Sequence, residues 1–312
     1  GPYAGEIVEE PEYEGTAAWG PQTGHIDVAS TLVLATEVDK LGMDTNEAGW
    51  LMGMVMECYE KGIINREDTD GLEMTWGNAD ATRAMLRKIA HRDGFGDTLA
   101  EGTMRAARLI GGEAPNMAIH TMKGSTPLGH DHRARWPMMF DISVSNTGVI
   151  ETLGGLIGRE QFGLPPQPEP FSPQEVVNST AKTKGSLQFQ DSVGVCFFNT
   201  NLDMLLLCEA VNAATGWDFG FEDAMQVGRR AVNLLKAFNL RHGIGPELDR
   251  PAPRYGSTPV DGPAQGMSIA PHWDKMVHDY YEMMGWDRET SKPLPDTLRS
   301  LGLEHLIPDL WQ

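Results

Sequence analysis

One short stretch, residues 129–136, is dense in titratable side chains and reads GHDHRARW. His130 and His132 belong to it, and histidine changes its charge near neutral pH, so both side chains can donate or accept protons. Arg133 and Arg135 could bind an anionic substrate, because a guanidinium pairs well with carboxylates and phosphates. The alternative interpretation is a surface loop with bridging charges.

A second pattern, D-x-x-G followed by an apolar residue and then Asp or Cys, occurs twice. Residues 39–44 read DKLGMD and residues 191–196 read DSVGVC. Each copy follows a predicted helix, so we expect its glycine to turn the chain at the helix C-terminus. The freed backbone groups and the fixed carboxylate of such a turn suit a heterocycle that is rich in N–H donors. For either copy alone, helix capping is the simpler explanation.

Helices are the elements that must position these residues. Leu51, Met54, Val55 and Cys58 share one face of a predicted helix that begins at the capping residue Asp44, so Cys58 is expected in the core. Prolines break up the stretch between residues 113 and 177. Few segments alternate as strands do, so the sequence predicts a mostly α protein with helical domains at 1–120 and 121–312. The other predicted helices cover residues 28–40, 79–93, 98–109, 176–190, 203–214, 221–238 and 272–284.

The composition narrows the function classes. The chain has 312 residues and a net charge of -19, which argues against nucleic acid, because phosphate binding needs clustered Lys and Arg. Three cysteines in a chain of this size do not suggest a disulfide framework. No apolar run is long enough for a membrane span, and the first residues do not resemble a signal peptide, so the cytoplasm is the expected location.

Together the two D-x-x-G motifs resemble the two pterin-binding motifs of the tungsten aldehyde:ferredoxin oxidoreductase family. Further stretches that are similar to this family run along nearly the whole chain. They are PEYEG at 11–15, LGMDTNEAG at 41–49, ECYEKG at 57–62, WGN at 76–78, IAHRDGFGDTLAEG at 89–102, ATGWDF at 214–219, GRRAVNLLKAFNLRHG at 228–243 and YYEMMGW at 280–286.

The resemblance implies the two C-terminal helical domains of this family and a tungsten or molybdenum bis-pyranopterin. It also allows a Mg²⁺ ion that bridges the pterin phosphates. Cys196 would be the fourth ligand of a [4Fe-4S] cluster, since the other three come from a C-x-x-C-x-x-x-C segment that precedes PEYE in the family. We expect that segment and the N-terminal pterin-binding part elsewhere, because one cysteine cannot hold such a cluster. The residues implied in cofactor binding are Asp39, Gly42, Met43, Asp44, Asp191, Gly194, Val195 and Arg133.

The resemblance also implies catalytic residues. Glu14, in PEYE, matches the active-site glutamate of the family and could shuttle a proton. The aldehyde enzymes carry a catalytic histidine in an N-x-G-x-C-H context, and here residues 146–151 read NTGVIE, so Glu151 stands where that histidine is expected. His130 and His132 could then supply protons instead.

Three functions follow as alternatives. The first is reduction of an aromatic acyl-CoA, as in the tungsten subunit of class II benzoyl-CoA reductases, and the missing histidine favours it. The second is oxidation of aldehydes to carboxylates. Both imply a ferredoxin or an iron–sulfur electron-transfer subunit as partner and a small aldehyde or aryl-CoA as substrate. The third is a non-catalytic helical assembly subunit.

Overall fold

Helices make up almost all of the regular structure. The computed structural model describes residues 1–10, 12–152 and 158–311. Within these ranges, extended pairing is limited to two isolated bridges, Thr121 with Pro251 and Trp286 with Pro293. The predicted mostly α class is therefore confirmed. No helix in the described ranges is long and apolar enough to cross a membrane.

The chain divides into two compact units. Unit 1 comprises Gly1–Asp131 and Pro251–Tyr255, and unit 2 comprises the described residues of His132–Arg250 and Gly256–Gln312. The sequence placed the boundary near residue 120, whereas the structure places it after Asp131. Residues 121–131 stay with unit 1 because they bond to it, for example through the Trp50 indole N–H, which donates to the Pro127 carbonyl over 2.8 Å.

Four of the six described helices of unit 1 begin after a residue whose side chain caps them. The side chains of Glu12, Asp27, Asp44 and Asn78 each accept a backbone N–H of the first turn that follows, which satisfies donors that have no partner inside the helix. The helices are α1 (Tyr13–Trp19), α2 (Val28–Lys40), α3 (Thr45–Glu60), α4 (Ala79–His91), α5 (Phe95–Leu99) and α6 (Thr103–Ile110).

One predicted helix of unit 1 is wrong. Residues 98–109 do not form a continuous helix, because Gly102 separates α5 from α6 with a φ of +83°. That backbone conformation is outside the helical region and is open mainly to glycine. The predicted helix at 28–40 is confirmed at both ends.

The core of unit 1 lies between the apolar faces of α2, α3 and α4. Trp19, Val38, Met52 and Met85 are fully buried there. Cys58 joins this cluster, as its position on the helix face predicted, and burial raises the pKa of its thiol to about 11. The thiol is therefore a packing group rather than a ligand.

Unit 2 contains nine described helices, and the first of them, α7 (Trp136–Val144), was not predicted. Every residue of α7 is buried, so its sequence carries no amphipathic period that would reveal a helix. The others are α8 (Pro173–Thr183), α9 (Ser186–Val193), α10 (Phe197–Thr200), α11 (Met204–Thr215), α12 (Phe221–Arg241), α13 (Trp273–Met284), α14 (Pro295–Ser300) and α15 (Ile307–Leu310).

The prediction of one helix over residues 176–190 is also wrong. Gly185, with a φ of +110°, separates α8 from α9. The turn packs against α12 with very little space, because a Cβ added to Gly228 would lie 1.8 Å from the Gly185 carbonyl oxygen. Two glycines thus allow two backbones to approach where side chains would keep them apart.

We expect the substitution Gly228→Ala to destabilise unit 2. The added methyl group cannot avoid the backbone of Gly185. The free energy of unfolding should therefore fall by about 1–3 kcal/mol or more, the usual cost of overpacking. Denaturant unfolding of the chain measures it. Gln226→Ala, at an exposed position of the same helix, is the control and should stay within about 0.5 kcal/mol of the parent. Equal stability of the two variants would contradict the packing argument.

Candidate functional site

Glu14 is held at the centre of a small polar cluster in unit 1. It lies in the first turn of α1, and its Oε2 accepts the backbone N–H of Gly129 over 2.5 Å. Its Oε1 lies 3.6 Å from Nε2 of His130. The ring of Tyr13 stacks on the ring of His130, with 4.5 Å between centroids, and the Tyr13 hydroxyl lies 3.3 Å from Nδ1. A carboxyl, an imidazole and a phenol therefore meet, as a proton relay requires.

The surroundings of Glu14 favour its protonated form. Burial raises the pKa of this carboxyl above its ordinary value, the Gly129 N–H opposes the shift, and the negative charges of Glu12 and Asp44 add to it. The structure thus brings Glu14 and Asp44, which the sequence proposed from separate motifs, into electrostatic range of each other. The link between α1 and the start of α3 is a hydrogen bond of 3.0 Å from the Trp19 indole N–H to the Thr45 hydroxyl.

The first D-x-x-G motif forms a helix-ending turn with two specific hydrogen bonds. Gly42, at a φ of +70°, donates its N–H to the Asp39 carbonyl over 3.0 Å, and Met43 donates to the Val38 carbonyl over 3.2 Å. This is the Schellman arrangement, which satisfies carbonyls at a helix end. Asp44 follows directly and caps α3 by accepting the N–H of Glu47.

The second motif repeats the same turn in unit 2. Gly194, at a φ of +76°, donates to the Asp191 carbonyl over 3.1 Å, and Val195 donates to the Gln190 carbonyl over 3.2 Å. Cys196 then takes the cap position of α10 and presents an exposed free thiol. In both motifs backbone groups make the turn, and the side chains of Asp39 and Asp191 stay exposed. Capping and ligand binding are therefore compatible.

These exposed groups fit the cofactors that the sequence implied. A pterin presents N–H donors, and the carboxylates of Asp39 and Asp191 are acceptors held at fixed turns. In the described ranges no group of three or more His, Cys, Asp or Glu side chains could hold a metal. Cys58 and Cys208 are buried in the cores. Of the three cysteines, Cys196 is the exposed one, so its thiol is available to a ligand.

Glu151 has a different environment, which its place in the sequence did not suggest. Its Oε2 accepts a hydrogen bond from Nζ of Lys184 over 2.9 Å, and the same Nζ donates to Asp141 Oδ1 over 2.8 Å. All three side chains are at most 1% exposed. Glu151 Oε1 accepts the backbone N–H of Asn146 over 3.1 Å. Both carboxylate oxygens are engaged, so Glu151 anchors the interior of unit 2.

Lys184 and Asp141 were missed by the sequence reasoning. Burial alone would lower the pKa of Lys184, but the carboxylates of Asp141 and Glu151 outweigh it and hold the pKa well above the ordinary value. Asp141 also accepts the backbone N–H groups of Glu151 and Thr152, each over 2.9 Å. The only available signal was an aspartate inside the otherwise apolar segment of α7, since a buried charge needs a partner.

The histidine- and arginine-rich stretch spans the boundary between the two units. His130 belongs to unit 1, whereas His132 and Arg133 belong to unit 2. His132 is 1% exposed, in a short 3-10 turn. Arg133 donates from Nη1 to the Ser257 hydroxyl over 3.3 Å. Among these residues, His130 is the one that the structure places against Glu14.

Comparisons with known proteins bear on the family to which the chain belongs. Residues 1–303 match the family model described as aldehyde ferredoxin oxidoreductase, domains 2 and 3. The tungsten-containing aldehyde ferredoxin oxidoreductase of Pyrococcus furiosus is 34% identical, over 97% of this chain and 50% of that protein. The WOR-like subunit of an aliphatic sulfonate oxidoreductase from the same organism is 30% identical, over 97% of this chain and 47% of that protein. The chain thus spans about half the length of the curated relatives it matches.

A solved structure shares the fold. It is the active-site complex BamBC of benzoyl coenzyme A reductase bound to 1,5-dienoyl-CoA, with a TM-score of 0.73 and 21% identity, over 91% of this chain and 47% of that one. At this identity the likeness concerns the fold alone. The match to the family model, which covers nearly the whole chain, is decisive: this chain belongs to the aldehyde ferredoxin oxidoreductase family and corresponds to its second and third domains.

Proposed function

We propose that this chain is the C-terminal helical part of a tungsten bis-pterin, iron–sulfur oxidoreductase that works at low potential. The reaction we favour is reduction of an aromatic acyl-CoA. The observation that carries the proposal is Glu14, a carboxyl with a raised pKa that contacts His130. A perturbed titratable group of this kind is characteristic of sites that move protons.

The residues of this chain would hold the cofactor as follows. A tungsten bis-pterin supplies a two-electron step at low potential when it is bound. Asp39 and Asp44 in unit 1 and Asp191 in unit 2 would accept hydrogen bonds from the pterins, at turns fixed by Gly42 and Gly194. The Cys196 thiolate would complete the set of cluster ligands. Electrons would pass to or from a ferredoxin or an iron–sulfur subunit.

Both candidate reactions couple protons to the two electrons. Ring reduction consumes two protons, whereas oxidation of an aldehyde with water to a carboxylic acid releases two. Glu14 takes up a proton at a higher pH than an exposed glutamate does, because burial disfavours its charged form and raises its pKa. His130 can pass that proton onward, with Tyr13 stacked on its ring to fix its orientation. The relay therefore serves either direction.

The environment of Glu151 supports the choice of ring reduction. In the aldehyde enzymes that the sequence resembles, a histidine is expected at this position, and here Glu151 is bound to Lys184 and buried. This position thus lacks an imidazole that could exchange protons. Aldehyde oxidation is the second candidate, and the 34% identity to the aldehyde enzyme of Pyrococcus furiosus supports it.

Turnover of the two substrate classes tests the proposal. We would purify the complete natural enzyme under anaerobic conditions and assay benzoyl-CoA and a panel of aldehydes side by side with a low-potential dye. The expected result is turnover of the thioester, with tungsten and iron present. Turnover of aldehydes alone would establish the second candidate. An enzyme with neither metal and no turnover would instead indicate an assembly subunit.

The substitution Glu14→Gln should lower kcat by about 10²- to 10⁴-fold, the usual contribution of a positioned acid or base. If protonated Glu14 is the acid in ring reduction, the rate of the parent enzyme should fall as the pH rises through the raised pKa of Glu14. The Gln variant should not show this fall in rate. Glu10→Gln, a nearby exposed carboxyl, is the control. Steady-state rates across pH measure both, and an unchanged rate for Glu14→Gln would remove Glu14 from the mechanism.

The substitution Lys184→Met should act on stability. It leaves the buried carboxylates of Asp141 and Glu151 without their cation, and breaking a buried pair in this way costs about 3–5 kcal/mol. Denaturant unfolding measures the loss, with Lys182→Met in the last turn of α8, two residues before Lys184, as the control. Full stability together with a selective loss of turnover would mean that Glu151 acts in catalysis instead.

A further inference from the structure

Gln22 is a polar residue of unit 1 that neither the sequence motifs nor the proposed relay accounts for. It lies in the loop between α1 and α2, and its side-chain Nε2 and Oε1 are both buried. Within the described ranges neither atom has a hydrogen-bond partner. A buried amide without partners destabilises a fold, and an apolar side chain of similar size would avoid that penalty.

The amide of Gln22 lies next to Glu14. A Cβ added to Gly129 would be 3.0 Å from Glu14 Oε2 and 3.1 Å from Gln22 Nε2, so both atoms border the same point. The other end of the amide is against α3, where a Cβ added to Gly49 would be 2.9 Å from Gln22 Oε1. Gly129 and Gly49 therefore leave room for the side chain of Gln22. Its N–H₂ group is the end of the amide that faces Glu14.

The charges around Glu14 and the Gln22 amide determine which kind of ligand could bind there. The groups that raise the pKa of Glu14 through their charge are Glu12 and Asp44, both acidic. An anionic ligand would be repelled here, whereas a neutral carbonyl oxygen could accept a hydrogen bond from the Gln22 amide. Both candidate substrates present such an oxygen. In an aldehyde it lies on the carbon that reacts, and in an aryl-CoA thioester it lies on the carbon attached to the reacting ring.

We propose that Gln22 binds the carbonyl oxygen of the substrate and orients it beside Glu14. The assignment rests on the proposed function, because it takes the carbonyl from the two candidate substrate classes. It explains why a polar side chain without protein partners is retained next to the proton-transfer group. It also makes Gln22 selective for neutral acyl compounds over free carboxylates.

Two variants of the complete natural enzyme test this assignment. In Gln22→Leu the donor is lost, and KM for the active substrate should rise about tenfold or more while kcat changes less. Its tungsten content should stay at the parent value and its melting temperature should not fall, because the lost amide has no hydrogen-bond partner in the described part of the protein. Gln22→Glu, which keeps the shape and adds a negative charge, should raise KM and also shift the pH limb of Glu14 to higher pH. Gln174→Glu, at an exposed position, is the matched control.

The possible outcomes separate the two proposals. Normal turnover by the parent enzyme with unchanged KM in both Gln22 variants would overturn the assignment of Gln22 and leave the proposed function intact. Loss of tungsten in Gln22→Leu would also overturn it, since the amide would then serve the cofactor. If Gln22→Leu does not fold, the test uses Gln22→Glu instead. A raised KM and a shifted pH profile in that variant would support the assignment, and unchanged values would overturn it. A parent enzyme that turns over neither carbonyl substrate would overturn the proposed function and this assignment together.

Discussion

In a protein built almost entirely of helices, the fixed backbone turns that can take part in binding lie where the helices end. At the C-terminal end of a helix several carbonyls have no partner within the helix, and they must be satisfied before the chain can turn. Gly42 and Gly194 solve this problem in the same way, by adopting a left-handed conformation that returns two N–H groups to the helix. Because backbone atoms make these bonds, the carboxylates of Asp39 and Asp191 are left for other partners. The candidate cofactor contacts in both units depend on this one turn.

Close approach of backbones is the second requirement, and it places the polar cluster of unit 1. A Cβ on Gly49 would lie 2.6 Å from the Cβ of Ala18, so α1 can pack on α3 only because that residue is a glycine. This packing brings the start of α1 near the first D-x-x-G turn and shields Glu14 from water. The raised pKa of Glu14 is thus a consequence of how tightly the helices pack.

The sequence predicted the parts of the fold that depend on local signals. The helix at 28–40 has a capping aspartate and a glycine turn, and Cys58 repeats with the apolar face of α3, so both predictions were confirmed. The segments 98–109 and 176–190 were each predicted as one continuous helix, and the breaks at Gly102 and Gly185 were missed because they depend on the close packing around them. The fully buried α7 has no polar face, so periodicity could not detect it.

The same distinction between local and tertiary signals applies to the functional residues. The D-x-x-G turns are local and were recognised, whereas the contacts of Lys184 with Asp141 and Glu151 join residues 43 and 33 positions apart in the chain. Pairings at such separations are decided by tertiary packing, and a lysine at the end of a helix is ordinarily expected in solvent. Gln22 was missed for a related reason. Its side-chain amide stands out only in the folded chain, where it is buried without a hydrogen-bond partner among the described residues.

Glu14 and Glu151 show how packing gives one residue type two roles. The carboxylate of Glu151 faces a buried ammonium group, and each stabilises the charge of the other, so releasing or taking up a proton there would leave a buried charge without its partner. Glu14 is also shielded from water, but its described partners are a backbone N–H and the titratable ring of His130. Protonation of Glu14 leaves no buried ammonium group without its counter-charge, because no lysine is among these partners. Proton transfer is therefore expected in unit 1, while the buried charges of unit 2 hold its helices together.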